Sequence, residues 1–435
     1  MATDTIYALA SGAGRAGVAV IRVSGPASDR VLARLTGQTL PAPRVASLRR
    51  LRDAGGEPLD TALVLRFSEG ASFTGEAVIE IHGHGGPAVV RAAMSAVAAA
   101  GPARLAEPGE FTLRAFQNGR MDLAEVEALA DLLAAETEGQ RRQASRLMDG
   151  ALHRAAEDWR RDLLEALALL EVTIDWADEE VPEDVTPEVN ARLGRVAEGI
   201  GGHLAVADGA ARLRAGLEVA ILGAPNSGKS SLLNALAGRE AALTSPVPGT
   251  TRDVVELRYE LGGLAVTFLD MAGLRESTDP LEAAGVARAR ERAVGADMRV
   301  LLQAPDAPLG PEALALAKPG DLRVRSKADV GSCEGEGLAV SAETGQGLRE
   351  FLERIAQALS GRVSSEGLVA HRRQREALEA GGEALTAARE GLDRKGVEEV
   401  SEDVRGAIRA LERVTGQVGA EDVLGEIFGR FCLGK

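Results

Sequence analysis

The chain has 435 residues, of which 45% are hydrophobic and only 3% aromatic, and its formal net charge at pH 7 is −15. This length exceeds what one hydrophobic core supports, so we expect roughly two to four domains. The acidic charge argues against a chain that binds nucleic acid strongly and non-specifically by itself, since such binding depends on clustered Lys and Arg. A local basic patch, or a basic partner that makes most of the contacts, is compatible with this charge.

The cysteine content and the hydropathy of the chain indicate its compartment. Its two cysteines, Cys333 and Cys432, are too few for a disulfide framework, which fits a reducing cytoplasm. The sequence has no run of about eighteen apolar residues, the minimum for a membrane-spanning helix. Residues 1–10 also lack the basic segment and apolar core of a signal peptide. We therefore expect a cytoplasmic protein without a membrane span.

The first 118 residues have the pattern of a small mixed α/β domain. Strand-prone runs occur at Val18–Val23, Ala62–Phe67 and Ala77–Ile81, and a helical pattern follows the third. Between the third run and that helix, His82 and His84 are flanked by glycines. Two histidines could ligate a metal, but without further His or Cys nearby a tight loop fits the spacing better.

Residues 119–215 have helical patterns interrupted by an acidic segment. Leucines recur at helical spacing from Leu123 onward, and a helix is predicted over residues 189–215. Carboxylates cluster between them, from Asp175 to Asp184. Such a cluster could bind a cation, but a solvated loop between helices is the favoured interpretation.

The C-terminal part of the chain is helical again. A Gly- and Ser-containing linker at residues 361–367 precedes predicted helices at His371–Arg389 and Glu398–Arg413. The simplest architecture packs these helices against those of residues 119–215. The intervening domain would then be an insertion in a helical domain.

Residues 217 to about 360 alternate strand and helix, as a doubly wound parallel sheet does. The predicted strands are Leu217–Leu222, Val254–Leu261, Leu264–Leu269, Arg299–Gln303, Leu322–Arg325 and Leu338–Val340.

The first of these strands leads into the stretch Gly223–Ser231, Gly-Ala-Pro-Asn-Ser-Gly-Lys-Ser-Ser, and a helical pattern follows it. Strand, glycine loop and helix in this order predict a phosphate-binding loop. The glycines let backbone N–H groups converge, and the helix N-terminus adds positive potential. Lys229 then reaches the β- and γ-phosphates, and the Ser230 hydroxyl ligates magnesium.

Two downstream motifs fit the switch regions of such a site. Gly249–Asp253 lies where a first switch belongs, and Thr251 is the candidate for a hydroxyl that joins Ser230 on magnesium. Asp270-Met271-Ala272-Gly273 follows at the end of an apolar strand. Asp270 would hold magnesium through water, and the Gly273 amide would meet the γ-phosphate.

Two further motifs predict guanine as the base. Ser326-Lys327-Ala328-Asp329 resembles the Asn-Lys-x-Asp signature, in which the Asp carboxylate accepts from the N1 and N2 protons of guanine. Ser341-Ala342-Glu343, after the last strand, fits the loop that backs the base. Ser326 replaces the usual Asn, which we expect to weaken the bracing of this loop and the affinity. The predicted ligand is GTP.

The sequence also bears on which residue orients the attacking water during GTP hydrolysis. Regulatory GTPases often place Gln directly after the Asp-x-x-Gly motif to orient water, whereas this chain has Leu274. Another residue must therefore orient water, and another cation must offset the developing charge. Glu282 lies within reach of this role, although its pattern alone fits a surface carboxylate better.

The chain resembles the MnmE/TrmE family of tRNA modification GTPases over essentially its whole length. The residues that carry the resemblance are Gly14–Gly17, Arg22–Gly25, Ser72–Glu76, His82–Gly86, Pro108–Phe111, Gly249–Asp253, Asp270–Arg275 and the final Phe431-Cys432-Leu433-Gly434-Lys435. The fold class that this implies is multidomain, α+β and α/β. The resemblance implies a tetrahydrofolate-binding and dimerisation domain over residues 1–118, a helical domain in two parts over 119–215 and 363–435, and an inserted Ras-like G domain over 216–362.

The resemblance also implies the residues of the GTPase site. By analogy, potassium beside the phosphates substitutes for an arginine finger, and its ligands are Asn226, Ser245, Val247 and Thr250. Glu282 matches the residue that orients water in the family. The GTP-binding residues are Asn226, Ser227, Gly228, Lys229, Ser230, Ser231, Ser245, Pro246, Val247, Pro248, Gly249, Thr250, Thr251, Asp270, Met271, Ala272, Gly273, Ser326, Lys327, Ala328, Asp329, Ser341, Ala342 and Glu343. Met271 replaces the usual Thr, and the segment 303–327 is short for the family.

A second ligand is implied for the N-terminal domain, a one-carbon carrier that is 5-formyl- or 5,10-methylene-tetrahydrofolate. Arg22, Glu80 and the terminal Lys435 match its contacts, and Arg120 stands where a lysine is common. Cys432 lies beside this site in the family pattern, as a candidate reactive thiol without a visible basic neighbour.

The function that the resemblance implies is that of a potassium-activated GTPase in tRNA wobble-uridine modification. It would form a homodimer and, with an FAD-containing partner of the MnmG/GidA type, a heterotetramer that adds aminomethyl or carboxymethylaminomethyl groups at uridine C5. A GTP-switch protein for ribosome assembly is the alternative, but it predicts an appended basic RNA-binding domain and leaves the N-terminal motifs unexplained. A stand-alone folate enzyme would leave the nucleotide domain without a purpose.

Overall fold

The computed structural model of the chain describes residues 4–175, 184–239, 242–243, 256–271, 290–331, 336–418, 421–429, 431 and 434. Its contacts divide the chain into two compact units. One comprises residues 1–130, 153–160 and 408–435, and the other comprises residues 131–152 and 161–407. In chain order the helices are α1 Ser28–Thr36, α2 Pro87–Ala100, α3 Glu110–Gln117, α4 Leu123–Ala134, α5 Glu138–Met148, α6 Ala151–Asp175, α7 Thr186–Ala205, α8 Ala207–Ala215, α9 Lys229–Ala237, α10 Pro311–Leu316, α11 Leu348–Ser360, α12 Arg372–Gly391, α13 Val397–Thr415 and α14 Glu421–Phe428.

A six-stranded sheet forms the centre of the first unit. Its strands are β1 Thr5–Leu9, β2 Ala16–Ser24, β3 Ser47–Arg52, β4 Pro58–Phe67, β5 Val78–Gly85 and β6 Ala103–Leu105. They lie in the order β3-β4-β5-β2-β1-β6, and every neighbouring pair is antiparallel except β1 and β6. Alternate residues of the strands, such as Ile21 and Ile79, are buried in one cluster with residues of α1 and α2. The predicted mixed α/β domain is thereby confirmed.

The strands that the sequence predicts in this sheet are those with a clear apolar pattern. β2 and β4 contain the first two predicted runs and β5 begins one residue into the third, whereas the pattern does not predict β1, β3 or β6. In β3, Ser-Leu-Arg-Arg-Leu-Arg, three arginines obscure the alternation, because an edge strand tolerates charged side chains at its exposed positions. β6 has only three residues. Edge position and length explain the omission of β3 and β6, whereas β1 is a five-residue interior strand whose omission neither explains.

In the second unit, helices precede and follow the strands of its sheet along the sequence. α5 begins at a capping box, in which the Thr137 hydroxyl accepts from the Gln140 N–H and the Gln140 side-chain oxygen accepts from the Thr137 N–H. α12 packs along α7, so helices from both sides of the inserted G domain share one packed layer. This packing agrees with the predicted discontinuous helical domain, while the domain boundaries given above stay predictions.

One helix prediction is wrong in its continuity. Residues 189–215 are predicted as a single helix, but the chain leaves helical geometry at Val206, where ψ is 2°, and α7 and α8 are separate. The linker that follows the G domain passes close to the backbone of α8, since a Cβ atom at Gly209 would lie 2.7 Å from the Ser364 nitrogen. Apolar spacing alone does not reveal this approach.

A seven-stranded sheet forms the centre of the G domain. Its strands are β7 Leu217–Leu222, β8 Ala242–Leu243, β9 Glu256–Leu261, β10 Leu264–Asp270, β11 Met298–Gln303, β12 Leu322–Arg325 and β13 Leu338–Ala339. Val219 and Ile221 of β7 face one buried cluster, and Ala220 and Leu222 face another on the opposite side. Burial on both faces explains the near-continuous apolar run of β7.

The order of this sheet, β13-β12-β11-β7-β10-β9-β8, places the predicted site. β13, β12, β11, β7 and β10 are parallel, as predicted, but β9 runs antiparallel to β10. Gly262 and Gly263 alone join these two strands, at φ values of 61° and 85°, and a connection this short permits only a hairpin. The parallel strands all end at one edge, where β7 lies between β11 and β10 and the loops after them can bind a ligand.

No helix in the described part of the chain is both long enough and apolar enough to cross a membrane.

Candidate nucleotide-binding site

The conformation of the loop between β7 and α9 depends on glycine and asparagine at positions that other residues tolerate poorly. Gly228, at the N-cap of α9, has φ 91°, and Asn226 has φ 63°, a left-handed conformation that Asn tolerates better than most residues. A Cβ atom at Gly223 would lie 2.5 Å from the Leu302 carbonyl oxygen of the adjacent strand. The loop therefore packs tightly against β11 and presents the N-terminus of α9 to the sheet edge, as predicted for a phosphate-binding loop.

Lys229, the first residue of α9, extends back beneath this loop. Its ammonium group donates to the carbonyl oxygens of Gly223 at 2.9 Å and Ala224 at 3.0 Å. The side chain is buried, and this burial lowers the pKa of Lys229, while the charge of Asp270 opposes the shift. A buried cation held under the loop is suited to an anionic ligand on the other side.

Ser230 and Asp270 meet although they lie forty positions apart in the chain. The Ser230 hydroxyl donates to Oδ2 of Asp270 at 2.8 Å. The other carboxylate oxygen, Oδ1, is buried and has no hydrogen-bond partner among the described residues. A buried carboxylate oxygen without a partner requires a cation or water to offset its burial. Hard oxygen ligands of this kind fit magnesium.

A cavity of about 710 Å³ opens above the loop. This volume lies within the range of small-molecule sites in proteins, roughly 300–1,000 Å³. The residues that line it are Gly223, Ala224, Pro225, Asn226, Gly228, Lys229, Ser230, Ser231, Met271, Gly310, Pro311, Glu312, Ala313 and Lys327. Met271, where the family has Thr, is buried in an apolar cluster with Leu222 and Ala293. The sequence does not single out the stretch from Gly310 to Ala313, whose only local signal is a Gly-Pro turn before a short helix.

The predicted base-recognition loops follow β12 and β13 at the same edge. The Ser326 hydroxyl donates to the Ser227 carbonyl oxygen at 2.6 Å, so a serine braces the phosphate loop directly. Ala328 N–H donates to the Val340 carbonyl oxygen at 3.1 Å, which joins the two base loops. Asp329 is exposed. Because Ser326 replaces the usual Asn, we expect weaker bracing of this loop, but the bracing hydrogen bond to Ser227 is present.

The second loop, which begins with Ser341, is a tight turn. The Ser341 hydroxyl is buried and accepts from the Thr344 N–H at 3.1 Å, while Ala342 is half-buried and Glu343 is exposed. The structure thus brings together the predicted residues of the loop after β7, the end of β10 and both base loops. It adds Asp306, whose Oδ1 lies 2.9 Å from the ammonium group of the predicted Lys327 and which sequence reasoning misses.

Arg22 and Glu80 occupy opposite positions of β2 and β5 in the first unit. The Arg22 guanidinium donates to Oε1 of Glu80 at 3.0 Å and lies 5.5 Å from the centre of the Phe73 ring. The His82 ring lies 3.4 Å from Oε2 of the same carboxylate. Arg120, at the start of the helical region, is exposed, and its Cγ would lie 3.3 Å from a Cβ atom at Gly75.

The prediction of a tight loop at His82 and His84 is wrong, because both residues lie in β5 and pair with β2. Their side chains have different partners. His84 pairs with Asp60, its Nδ1 lying 2.6 Å from Oδ1, and its backbone N–H donates to Oδ2. Although burial opposes the shift, these hydrogen bonds lower the pKa of Asp60. The histidine side chains are thus directed to separate carboxylates, Glu80 and Asp60.

Part of the predicted site lies outside the described residues. These predictions concern Ser245, Pro246, Val247, Pro248, Gly249, Thr250, Thr251, Ala272, Gly273, Glu282, Cys432 and Lys435.

Comparisons with known proteins cover both units. The family model "MnmE helical domain" matches residues 123–432, and the model "GTP-binding protein TrmE N-terminus" matches residues 5–120. Proteins named tRNA modification GTPase MnmE are similar over 99% of this chain and 100% of their own length. They include those of Roseobacter denitrificans, 50% identical over 434 residues, Dinoroseobacter shibae, 51% over 436, and Paracoccus denitrificans, 50% over 432.

Proposed function

The chain belongs to the family of tRNA modification GTPases named MnmE or TrmE, and we propose that it hydrolyses GTP in the modification of tRNA wobble uridines. The observation that carries this proposal is the edge of the G-domain sheet. There Lys229 lies beneath the phosphate loop, and the Ser230–Asp270 pair lies beside it. On a chain that is about half identical to these relatives over its whole length, this edge is best explained as a GTP site.

The nucleotide would span the cavity from the phosphate loop to the base loops. Lys229 and the N–H groups at the start of α9 would hold the phosphates, as the geometry of the loop suggests. The exposed Asp329 carboxylate would accept from N1 and N2 of guanine, and adenine lacks this donor pair. The loop Ser341–Glu343 would back the base.

The Oδ1 of Asp270, which has no hydrogen-bond partner among the described residues, supports a magnesium site at the phosphates. Ser230 and Thr251 would ligate the ion, and Asp270 would hold it through water. When bound, magnesium supplies positive charge to the β- and γ-phosphate oxygens. The residues of the chain supply the rest, since Ser230 fixes Asp270 and Lys229 offsets its charge at the base of the loop.

Hydrolysis would depend on Glu282 and on potassium. With Leu274 at the position after the Asp-x-x-Gly motif, Glu282 would orient the attacking water. Asn226, Ser245, Val247 and Thr250 would hold potassium, which supplies positive charge where other GTPases use an arginine finger. The left-handed backbone at Asn226, on the wall of the cavity, supports a ligating role for its amide oxygen.

The Arg22–Glu80 pair supports a folate site on the first unit. Glu80 is only 17% exposed and its carboxylate accepts up to about four hydrogen bonds, so the Arg22 contact leaves acceptor capacity for the donor edge of a pterin ring. Arg22, Arg120 and Lys435 would suit the glutamate tail of 5-formyl- or 5,10-methylene-tetrahydrofolate. When bound, this carrier supplies the one-carbon unit. Cys432 is a candidate reactive thiol beside it.

The assembly proposed is a homodimer built through the N-terminal domains, with G domains that meet across the dimer when GTP binds. An FAD-containing partner of the MnmG/GidA type would complete a heterotetramer and hold most of the tRNA. The net charge of −15 supports this division, because tRNA binding needs clustered cations that the partner would supply.

The proposed function is tested by deleting the gene and measuring tRNA nucleosides by mass spectrometry. We expect uridines that normally carry aminomethyl or carboxymethylaminomethyl groups at C5 to lose them. Complementation with the intact gene should restore the modification, and complementation with a Lys229→Ala gene should not. Wobble uridines that stay fully modified in the deletion strain contradict the proposal.

Replacing Glu80 by glutamine is expected to weaken binding of 5-formyl-tetrahydrofolate at least about tenfold, because it removes a charged hydrogen-bond acceptor from the site. Isothermal titration calorimetry measures this change on the purified full chain. Glu57→Gln, which alters an exposed carboxylate of the same unit, is the matched control and should bind as the unaltered chain does. Equal affinity of the Glu80→Gln variant would remove Glu80 from the site. An unaltered chain that binds no folate would contradict the folate proposal.

A further inference from the structure

A two-residue turn at the end of β11 stands beside the base-recognition loop. Ala304 and Ala307 exchange backbone hydrogen bonds of 3.0 and 3.1 Å, which fix Pro305 and Asp306 at the tip. A Cβ atom at Gly331 would lie 3.7 Å from Cγ of Pro305, so the turn packs against the end of the loop that begins at Ser326. The position of Asp306 is therefore set by backbone structure.

Asp306 holds the ammonium group of Lys327 with both carboxylate oxygens. The distances are 2.9 Å to Oδ1 and 3.0 Å to Oδ2. The ion pair also lowers the pKa of the Asp306 carboxyl through the Lys327 hydrogen bond. Neither group is deeply buried, Lys327 being 33% and Asp306 64% exposed, so ligands can reach both.

The backbone on either side of Lys327 is fixed by other contacts. Ser326 donates its hydroxyl to the phosphate loop at Ser227, and Ala328 donates its N–H to Val340. Lys327 itself has φ 54°, a left-handed conformation that is unfavourable for a lysine and persists only when its neighbours enforce it. With the backbone fixed, only the long Lys327 side chain can still change its conformation at this wall of the cavity. An unrestrained lysine side chain has many rotamers.

We infer that Asp306 is a positioning residue for the guanine nucleotide. This inference rests on the proposed function, in which the cavity binds GTP. By holding the ammonium group, Asp306 lays the Lys327 stem along the cavity wall before the ligand arrives, next to the Asp329 that reads the base. It also neutralises Lys327, so that the lysine is not drawn toward the phosphates. Asp306 acts through Lys327 and needs no contact with the nucleotide.

The effect expected from this role is one on affinity. Ordering a rotamer-rich side chain on binding weakens a complex, and exposed ion pairs are individually weak. Replacing Asp306 by alanine should therefore weaken GDP and GTP binding about three- to eightfold. The kcat at saturating GTP should stay within about twofold, because the groups around the γ-phosphate are unchanged, and KM should rise with the dissociation constant.

Fluorescence titration of the full-length protein with a fluorescent GDP analogue, together with steady-state hydrolysis, measures both quantities. Asp306→Glu, which keeps the carboxylate, should restore at least half of the lost affinity. In a double-mutant cycle, Asp306→Ala should weaken binding no further once Lys327 is alanine. Glu353→Ala, which breaks the exposed Arg349–Glu353 pair of the same domain, is the control and should bind normally. Thermal melting checks that the variants fold.

Three outcomes overturn the inference. Unchanged affinity of Asp306→Ala in a protein whose unaltered form binds the analogue removes Asp306 from positioning and leaves the proposed function intact. Additive losses in the cycle show that Asp306 acts independently of Lys327. An unaltered protein that binds no guanine nucleotide overturns the proposed function, and the inference with it.

Discussion

Replacing Lys229 by alanine is expected to weaken binding of GTP at least about 100-fold, because removing one member of a buried, hydrogen-bonded charge interaction has effects of this size. The ammonium group lies under the phosphate loop, held by the carbonyl oxygens of Gly223 and Ala224. Lys229 is the first residue of α9, and its side chain is buried. GTP hydrolysis should fall with binding.

The same substitution should have a much smaller effect on the stability of the nucleotide-free protein. Burial lowers the pKa of Lys229, which means that its charge is costly to hold inside the folded protein. Alanine removes this cost together with the two hydrogen bonds. The melting temperature without GTP should therefore change little. Because the variant binds GTP far more weakly, the rise in melting temperature that GTP causes through mass action should disappear. Differential scanning calorimetry with and without GTP and magnesium measures both.

The control for this prediction is Lys318→Ala. Lys318 donates to the Val294 carbonyl oxygen at 2.9 Å in the same domain, and it does not line the cavity. Its variant should keep the melting shift with GTP. Glu282→Ala provides a contrast, since a residue that orients water should retain the shift and lose hydrolysis. A Lys229→Ala protein with an undiminished shift would show that the phosphates bind elsewhere.

The phosphate loop could be predicted because its chemistry is carried by neighbours in the sequence. Gly223, Gly228, Lys229 and Ser230 lie within eight positions, and their order between a strand and a helix is itself the signal. The strands with apolar runs, such as β7 and β10, could be predicted for the same reason. Each of these predictions needs only local spacing.

The rest of the site depends on contacts that spacing does not encode. Asp306 and Lys327 are 21 positions apart, and they meet because parallel strands β11 and β12 end at one edge. The Oδ1 of Asp270 is buried and lacks a hydrogen-bond partner within the described part of the chain, and burial is determined by packing. At Ser326 the structure keeps a contact that the sequence predicts to be weakened. The side chain of Ser326 is shorter than Asn, but the backbones of the two loops approach closely enough for its hydroxyl to reach Ser227. Its effect on affinity stays a prediction.

Exchanging potassium for sodium in the assay is expected to slow GTP hydrolysis at least about tenfold, since one lost electrostatic contact to the transition state has an effect of about 100- to 1,000-fold. Sodium is a poor substitute because its smaller radius does not fit a cage of carbonyl and amide oxygens. The predicted cage includes the side chain of Asn226, which lies on the wall of the cavity. Rates measured in the two chloride salts at equal ionic strength test the ion requirement.

The backbone of Asn226 makes a clean variant available. Because its φ is 63°, alanine would add strain, whereas glycine adopts this conformation freely, so this substitution removes the side-chain amide without straining the backbone. Asn226→Gly should therefore bind GTP nearly normally and lose most of the difference between potassium and sodium. Asn226→Asp, which keeps an oxygen ligand, should retain part of it. Asn234→Ala, on the exposed side of α9, is the matched control and should behave as the unaltered protein. A full potassium response in Asn226→Gly would exclude the side chain as a ligand, and equal rates of the unaltered protein in both salts would exclude potassium activation itself.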